Sequence, residues 1–530
     1  VSGTITYTRI PVVKNADGVP TGLETDPAKF ESKPARGVLV RFYKSVQETA
    51  PDGSKVTVWK LAAANDSITD STGKYAATVE KDTPVFIEVY SILGTSPSPL
   101  VRLIADPQGM NSPLNQAERP FYLLRKGLDG SSSDTNPTPA TAASGNVTVD
   151  FTIGLDTKWW IGVPNPTLVS TAVKETQATG SKVLAILDSI YSFKSLYGQA
   201  GPAGSNSATF DLHYRPGINE PRGSYVEFRR TVFPQSFDSS IGTRHYFGSL
   251  RGGPANDDAW DEAVIYLLLG RNAQSSGWIC ALPPVVKSLT HLAPDLALAE
   301  GLAHGMAANV LKSPYLSDTS SSGTAVVDIR DRSNLSTGEI SPYSGTNLAA
   351  LSWELVLKAN SVATPGTSTT WANLNSSAML RYFVPVLPKN ADASKIVDVL
   401  SIYGQIKRLQ EGQVVGEPVN LSTIFTDAVL TPLVAPYGLT WPRPTSGEHA
   451  TYLLDWGTDP LTSTTPIPAI PLSMSKAVMV GATYPNASEN EVAYAQFSLT
   501  KDTSYDLSIV TQPAVLPAGV AIEVYFPSLS

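Results

Sequence analysis

The stretch Ile68-Thr-Asp-Ser-Thr-Gly-Lys-Tyr-Ala-Ala-Thr-Val79, followed by Val85-Phe-Ile-Glu-Val89, decides the fold of the first part of the chain. Short runs of β-branched and aromatic residues flank a segment rich in Asp, Ser, Thr and Gly, which is typical of strands joined by a turn. Gly73 lies in that segment, and glycine takes the positive φ angle of a tight turn without steric cost. The stretch therefore predicts a glycine-centred turn between two strands.

The same pattern continues on both sides of this turn. Alternating runs bounded by Gly, Pro, Asp or Ser recur from residue 1 to about residue 151, as in a β-sandwich. Residues 127–145, rich in Ser, Thr, Pro and Gly, are predicted to be a loop or linker within an N-terminal sandwich of residues 1–155. The predicted strands are Val1–Tyr7, Gly37–Tyr43, Val56–Leu61, Lys74–Val79, Val85–Tyr90 and Val101–Ala105.

The glycine-centred motif also resembles a known module. Residues 68–89 are similar to the carboxypeptidase-regulatory-like, transthyretin-type sandwich repeat that accompanies many secreted bacterial enzymes. The chain begins on a predicted strand at Val1 rather than at Met, and it is rich in Ser and Thr with few Lys. We therefore expect an extracellular or cell-surface protein, exported with its leader removed.

Composition excludes several classes of protein. The 530 residues correspond to three or four domains at about 150 residues each. Only 16% of them are charged and the net charge is −8, which excludes nucleic-acid binding by bulk positive charge. The single cysteine, Cys280, excludes an intramolecular disulfide, and five histidines exclude a Cys/His-rich zinc module. The longest wholly apolar run, Ala263–Leu269, is too short to cross a bilayer, so we expect no transmembrane segment.

After residue 155 the periodicity of apolar residues changes to that of amphipathic helices. We predict a mostly helical domain over residues 156–412 and a second β-sandwich over 413–530, which makes the fold class multidomain α+β. The predicted helices are Val183–Lys194, Trp260–Leu269, Leu296–Leu311, Leu348–Lys358 and Ser394–Gln410. The predicted C-terminal strands are Lys476–Thr483, Val492–Leu499, Tyr505–Val510 and Val520–Phe526.

The most informative helix is Asn256-Asp-Asp-Ala-Trp-Asp-Glu-Ala-Val-Ile-Tyr-Leu-Leu-Leu-Gly-Arg271. It resembles the central domain of secreted bacterial zinc metallopeptidases of the HExxH type, in which an acidic and aromatic lead-in and a Val-Ile pair precede His-Glu-Phe-Gly-His. The stretch Pro294-Asp-Leu-Ala-Leu-Ala-Glu-Gly301 resembles the helix that supplies the family's third zinc ligand. The resemblance covers roughly residues 174–358 and puts Glu300 at the ligand position. The last strands look like the small sandwich appended to secreted peptidases.

The catalytic residues of that family are missing from the corresponding positions. Zinc hydrolysis needs two imidazoles four residues apart on one helical face and a glutamate base. The resemblance therefore implies a pseudoenzyme without catalytic residue, metal or cofactor, in which Arg271 pairs with Glu300 in place of the metal. The simpler alternative is a core helix over Ala263–Leu269 whose register matches by chance. The residues that stand at the zinc motif are Leu267, Leu268, Leu269, Gly270 and Arg271.

A relocated active site is the alternative function. Glu300 and His304 are four residues apart and share a helical face, so they could form half of a metal site in a secreted metal-dependent hydrolase. The simpler interpretation of His304 is a partly exposed helix histidine that makes one hydrogen bond. Cys280 lies in an apolar run without a basic neighbour, so we expect a buried thiol there.

Tryptophans offer a further interpretation of binding. They fit either a sugar-binding platform or packing anchors at domain junctions, and packing is the simpler interpretation. The residues concerned are Trp159, Trp160, Trp371, Trp441 and Trp456.

These observations combine into one expected function. The sequence retains segments that resemble a peptidase scaffold, but aliphatic residues stand at catalytic positions. We therefore expect an inactive extracellular binding or structural protein with Ig-like sandwiches at both ends. Its partner would be a protein or a cell surface, or further copies of itself in a filament. Exposed strand edges of the sandwiches would allow copies to assemble, because an added strand satisfies the backbone donors and acceptors of such an edge. We expect the strand Val1–Tyr7 either to be donated to a neighbouring copy or to accept a strand from one, with residues 11–27 acting as a tether.

Overall fold

The fold is described by a computed structural model, in which the chain divides into two compact units. The first contains Val1–Arg229, Asp238–Leu269 and Val310–Asp328, and the second contains Arg230–Phe237, Gly270–Asn309 and Ile329–Ser530. The residues that the structure describes are 1–62, 66–94, 101–105, 120–129, 145–163, 171–174, 178–198, 210–219, 225–228, 243–249, 259–275, 294–320, 323–332, 345–361, 425–437 and 441.

The six strands predicted in the first 155 residues are all present, together with further strands that the sequence pattern did not predict. Gly73 has a φ angle of 78°, as its turn requires. The strands are β1 (Ser2–Arg9), β2 (Val12–Lys14), β3 (Pro20–Leu23), β4 (Glu31–Pro34), β5 (Val38–Thr49), β6 (Lys55–Leu61), β7 (Ser67–Ile68), β8 (Lys74–Ala76), β9 (Val85–Leu93), β10 (Val101–Ile104), β11 (Phe121–Gly127) and β12 (Phe151–Ile153).

Strands continue beyond residue 155. Residues 156–412 were expected to be mostly helical, but their described part contains several strands, and those between residues 160 and 249 join the large sheet of the first unit. The predicted domain limits at 155 and 412 stay predictions. The later strands are β13 (Trp160–Val163), β14 (Thr171–Lys174), β15 (Phe210–Asn219), β16 (Tyr225–Phe228), β17 (Thr243–Ser249), β18 (Tyr315–Ser320) and β19 (Gly323–Asp328).

In the described part of the chain the large sheet has eleven strands, in the order β14-β13-β11-β9-β10-β15-β17-β16, with β5 joined to β9 and both β6 and β7 joined to β5. The pairs β10–β15 and β15–β17 are parallel, whereas β11 pairs antiparallel with both β9 and β13. Leu39, Tyr90, Ile104 and Leu123 belong to one buried apolar cluster on this sheet. Apolar residues on successive strands thus form one side-chain layer, as a sandwich-like sheet requires.

The first strand lies inside a smaller sheet rather than at an open edge. One edge of β1 pairs with β12, and the other edge pairs first with β8 and then with β4. Residues 11–27, expected to form a tether, contain the β2–β3 hairpin. Because both of its edges are paired, β1 offers no edge that could receive a strand from another copy.

Four of the predicted helices are present among the described residues, which contain one further α-helix. Val183, Leu187 and Ile190 on α1 are fully buried, and α1 packs against β9 and β1. Ser394–Gln410 and the predicted C-terminal strands lie outside the described residues. None of the described helices has the length and apolarity needed to cross a membrane. The helices are α1 (Lys182–Gly198), α2 (Glu262–Ser275), α3 (Pro294–Leu311), α4 (Gly345–Ser361) and α5 (Asp427–Val434), with short 3-10 helices at Pro27–Lys29 and Ala435–Tyr437.

The described parts therefore form a β-rich α+β fold with sandwich-like sheets and some helices. The α5 helix escaped prediction because it has only eight residues and contains Pro432, which interrupts the backbone hydrogen-bond pattern of a helix. Two turns of helix are too short for a clear apolar periodicity.

Candidate functional site

The positions that resemble the zinc motif lie on α2, and their described side chains are aliphatic. Leu268 and Leu269 are buried, and Leu267 is half-buried. A Cβ atom added to Gly270 would lie 2.8 Å from the Cα atom of Ala303 on α3. The two helices that carry the peptidase-like sequence therefore touch at Gly270, with hydrocarbon rather than imidazole on the preceding residues.

Small residues let α3 approach α4 as closely as it approaches α2. A Cβ atom on Gly301 would lie 2.6 Å from the Cβ atom of Leu348, and one on Gly305 would lie 1.6 Å from the Oγ atom of Ser352. Gly301 and Gly305 are four residues apart and so share one face of the helix. The glycines of this stretch are explained by close helix packing.

The predicted ion pair remains a prediction. Arg271 and Glu300 lie on α2 and α3, the helices that meet at Gly270, but their side chains are outside what the structure describes. His304 is buried, with 6% exposure, instead of partly exposed as expected. Among the described side chains there is no group of three or more His, Cys, Asp or Glu residues placed to hold a metal ion. Cys280 lies outside the described residues.

Asp261 of the acidic lead-in connects α2 to a strand. Its carbonyl oxygen accepts hydrogen bonds from the amides of Val264 and Ile265, in the first turn of the helix. Its carboxylate accepts from the Thr319 amide at 2.7 Å and from the Thr319 hydroxyl at 3.0 Å. This fully buried side chain thus ties β18 to the start of α2, which is a structural task.

A group of polar side chains joins β1 to α1 and α2, and we refer to Tyr7, Arg9, Arg36, Asp188 and Glu262 as the strand–helix cluster. The buried guanidinium of Arg9 donates to the carbonyl oxygen of Trp260 at 2.9 Å and to the hydroxyl of Ser189 at 3.3 Å. It also forms an ion pair with Glu262 at 3.3 Å.

Asp188 on α1 is the acceptor at the centre of this cluster. Its carboxylate accepts from the Tyr7 hydroxyl at 2.8 Å and from Arg36 Nε at 2.5 Å. Arg36 donates further to the hydroxyl of Ser192 and lies over the ring of Tyr191, 4.8 Å from its centroid. Burial, and then the negative charge of Asp188, raises the pKa of Tyr7, so this hydroxyl stays a proton donor. Each ionic group of the cluster has an opposite charge beside it, as a structural tie requires.

A second set of buried charges crosses the large sheet, and we name Asp66, Arg41, Glu88 and Arg125 the cross-sheet row. Arg41 donates to both carboxylate oxygens of Asp66, at 2.8 and 3.1 Å. Glu88, with 0% exposure, accepts from Arg125 Nε at 2.7 Å and from the Tyr90 hydroxyl. The guanidinium of Arg125 also lies 5.1 Å from the ring centroid of Trp160.

The cross-sheet row was missed in the sequence, although a signal for it exists. Arg41, Glu88 and Arg125 are single charges within apolar strand runs, namely residues 38–43, 85–90 and 121–125. A charge at a buried strand position requires a partner, and the registers pair Arg41 with Glu88 and Glu88 with Arg125. Such a pattern predicts that each charge pairs with an opposite one, but the partners can be named only when the order of the strands is known, and the sequence does not give that order.

Of the five tryptophans considered for sugar binding, the three that the structure describes are packing residues. Trp159 is fully buried and its indole N–H donates to the carbonyl oxygen of Gly180 at 2.8 Å. Trp160 is buried, and Trp441 is buried and donates to Asp427 Oδ1 at 2.7 Å. These three indoles present no flat exposed face for a sugar. Trp371 and Trp456 lie outside the described residues.

Comparison with known proteins gives no relative. No protein-family model, curated protein or solved structure matches the chain.

Proposed function

We propose that this protein is a catalytically inactive, peptidase-derived extracellular protein whose role is to bind a protein or cell-surface partner or to serve as an assembly subunit. The observation that carries the proposal is the packing on α2 next to the glycine that touches α3: Leu268, at the position of the family's glutamate base, is buried, and Leu267, at the position of the first histidine, is half-buried. A catalytic zinc needs nitrogen and oxygen ligands about 2 Å from the ion. Buried leucine side chains offer neither ligand nor general base.

The buried polar groups support a structural role. The strand–helix cluster and the cross-sheet row pair acids with bases at hydrogen-bond distance. Satisfied buried networks rigidify a fold, whereas a catalytic acid or base must reach a substrate. Sheets held in this way suit a protein that presents a fixed surface to a partner.

The test measures metal and activity on the full chain. Elemental analysis after dialysis should find no stoichiometric zinc, and incubation with casein or a peptide library should give no cleavage. About one zinc per chain, together with proteolysis that a chelator abolishes, would contradict the proposal. In that case His304→Ala would separate the alternatives, because loss of both zinc and activity would assign them to the relocated site at Glu300 and His304.

A designed variant provides the positive control. Leu267→His combined with Arg271→His restores two imidazoles four residues apart, the spacing used by zinc-binding helices. If Glu300 stands at the third ligand position, this variant should bind zinc where the natural chain does not. A variant that folds but binds no zinc would count against the peptidase-like arrangement of α2 and α3.

A further inference from the structure

The β5–β6 hairpin extends beyond the large sheet. β9 pairs with β5 as far as Lys44, which faces Val85, whereas β5 and β6 continue as a two-stranded ribbon to the pair Thr49 and Lys55. We refer to residues 45–59 as the β5–β6 arm. In the described part of the chain, β6 pairs with β5 and with no other strand.

The outward backbone groups of the arm can be identified from one hydrogen bond. The Ser45 amide donates to the carbonyl oxygen of Pro84, and therefore points away from β6. Residues that face each other across an antiparallel pair alternate between bonding to each other and pointing outward. Since Ser45 faces Trp59, the outward groups on β6 are those of Lys55, Thr57 and Trp59.

One face of the arm carries three valines and one carboxylate. Val46 faces Val58, and Val56, with 40% exposure, lies on the same face opposite Glu48. An isolated two-stranded ribbon is only marginally stable in water, and an apolar face on it is stabilised when further strands extend the sheet. Among the described residues, the arm thus has an edge without a partner strand, and its valines gain from a wider sheet.

We propose that the outer edge of β6 pairs antiparallel with the same edge of a second copy of this chain, about a two-fold axis at Thr57. In this register the outward groups of Lys55 and Trp59 meet those of Trp59 and Lys55 of the second copy, and the two Thr57 residues face each other. Val56 then faces Val58 of the second copy, so that valines on three neighbouring strands form one row, which ends at Glu48 on the fourth. Threonine pairs and β-branched pairs across strands are stabilising.

The charges on β6 permit this register. Lys60 is held within its own chain by an ion pair with Glu48. In the proposed register Lys55 faces the indole of Trp59 of the second copy, and an ammonium group is attracted to such a ring. A register centred on Lys55 would instead place two ammonium groups opposite each other, which is destabilising. The side chains of the edge are therefore compatible with a second copy in the register centred on Thr57 and disfavour the register centred on Lys55.

This inference deepens the proposed function by naming a second copy as the partner, and it rests on that proposal only for its biological purpose. Zinc content and proteolysis are independent of oligomeric state, so the two proposals can fail separately. Five residues on each side form a small interface, so the dimer should be weak and dependent on concentration.

The experiment compares two proline variants of the full chain by sedimentation velocity and light scattering over a range of concentrations. Thr57→Pro removes an outward N–H from the proposed interface without breaking a backbone hydrogen bond between β5 and β6, and should weaken dimerisation about tenfold or more. Both proline variants lose the hydrogen bond from the Gln47 side-chain amide to the Thr57 hydroxyl, so that loss does not distinguish them. Gln47→Pro makes the same change on the opposite edge of the arm and should dimerise like the natural chain. A strictly monomeric natural chain, or equal dimerisation of both variants, would overturn the proposal.

A cross-link supplies a second measurement should a proline variant fail to fold. Facing residues of this kind have Cα atoms about 5.5 Å apart, within the range that a disulfide spans. Cys280 is the only cysteine, so Thr57→Cys in a Cys280→Ser background should give a covalent dimer on mild oxidation. Gln47→Cys in the same background should remain largely monomeric. Equal cross-linking at the two positions would refute the register.

Discussion

The guanidinium of Arg9 on β1 donates a hydrogen bond of 2.9 Å to the carbonyl oxygen of Trp260, two residues before α2 begins. The same side chain reaches Ser189 on α1, so one arginine connects the first strand to two helices. These bonds fix the start of α2 to the small sheet of the first unit. The strand is thereby a structural part of the unit that contains α1 and the start of α2.

We expect Arg9→Leu to lower the free energy of unfolding by about 3 kcal/mol, because it leaves buried acceptors and the Glu262 carboxylate without their donor. Denaturant unfolding of the full chain measures this. Lys33→Leu is the matched control, because Lys33 forms its ion pair with Glu31 in an exposed position. Exposed pairs contribute about 1 kcal/mol or less, so equal losses in the two variants would contradict the structural role of Arg9.

Glu88→Gln should destabilise the large sheet. Glu88 is fully buried and accepts from Arg125, so its neutralisation removes the carboxylate that pairs with the buried Arg125 guanidinium. The expected loss is about 3 to 5 kcal/mol, and Glu88→Gln combined with Arg125→Met should recover part of it. Glu31→Gln, in the exposed pair with Lys33, is the control and should stay near the natural stability. A double variant no more stable than Glu88→Gln alone would argue against this pairing.

Local sequence patterns were sufficient to predict elements. Alternation of apolar residues located β5 and β9, helical periodicity located α1 and α4, and the turn chemistry around Gly73 was correct in its φ angle. Each of these signals depends on neighbours within a few residues. Local patterns are informative because propensity and burial act over the same short distances.

The order of strands depends on contacts between distant residues and could not be read. β10 pairs with β15 across about a hundred residues, and β1 pairs with β12 near residue 151. Nothing in the sequence of β1 distinguishes an inner strand from an edge strand. For this reason β1 was wrongly expected to offer a free edge, although its two sides are paired.

The helices that carry the candidate site could be predicted from the sequence, but the contacts between them could not. The sequence placed α2 and α3, and the glycines that allow their close approach could have been recognised as a packing signal. His304 was expected to be partly exposed because its helical neighbours alone do not show which face is covered. Burial of that face is set by close helix packing, which includes the contact of α3 with α4 at Gly301 and Gly305.

Gly270→Ala should destabilise the contact between α2 and α3. In an uncrowded helix this change stabilises by about 0.5 to 1 kcal/mol, because alanine is the better helix former. Here the new Cβ atom would meet the backbone of Ala303 at 2.8 Å, and overpacking of this kind costs about 1 to 3 kcal/mol. Thermal unfolding of the full chain reports the sign of the change. A stabilised Gly270→Ala variant would show that the helices can separate without loss.

Arg271 and Glu300 can be tested with a double-mutant cycle. If they form a buried pair where a metal would have been, Arg271→Leu and Glu300→Gln should each lower the melting temperature, because one partner is left uncompensated. The double variant should recover part of the loss. Single variants that melt like the natural chain would refute the pair and favour the interpretation of α2 as a core helix with a chance register.

Buried tyrosines should make the protein sensitive to alkaline pH. Burial, and then the charge of Glu88, raises the pKa of Tyr43 to about 12, and burial also raises the pKa values of Tyr7, Tyr75 and Tyr266. Tyrosine in an unfolded chain titrates near pH 10. Between about pH 10 and 12 the unfolded chain releases protons that the folded chain retains, so the free energy of unfolding falls as the pH rises.

The contribution of these protonated tyrosines to the free energy of unfolding is thus fully present below about pH 10 and is lost as the pH rises above it. Denaturant midpoints measured against pH, with tyrosinate absorbance followed in parallel, should show ionisation of the buried tyrosines only as the chain unfolds. Tyr43→Phe should make the decline with pH less steep, once each variant is compared with its own stability at neutral pH. Reversible ionisation of all tyrosines near pH 10 in the folded protein would show that these hydroxyls are accessible to solvent.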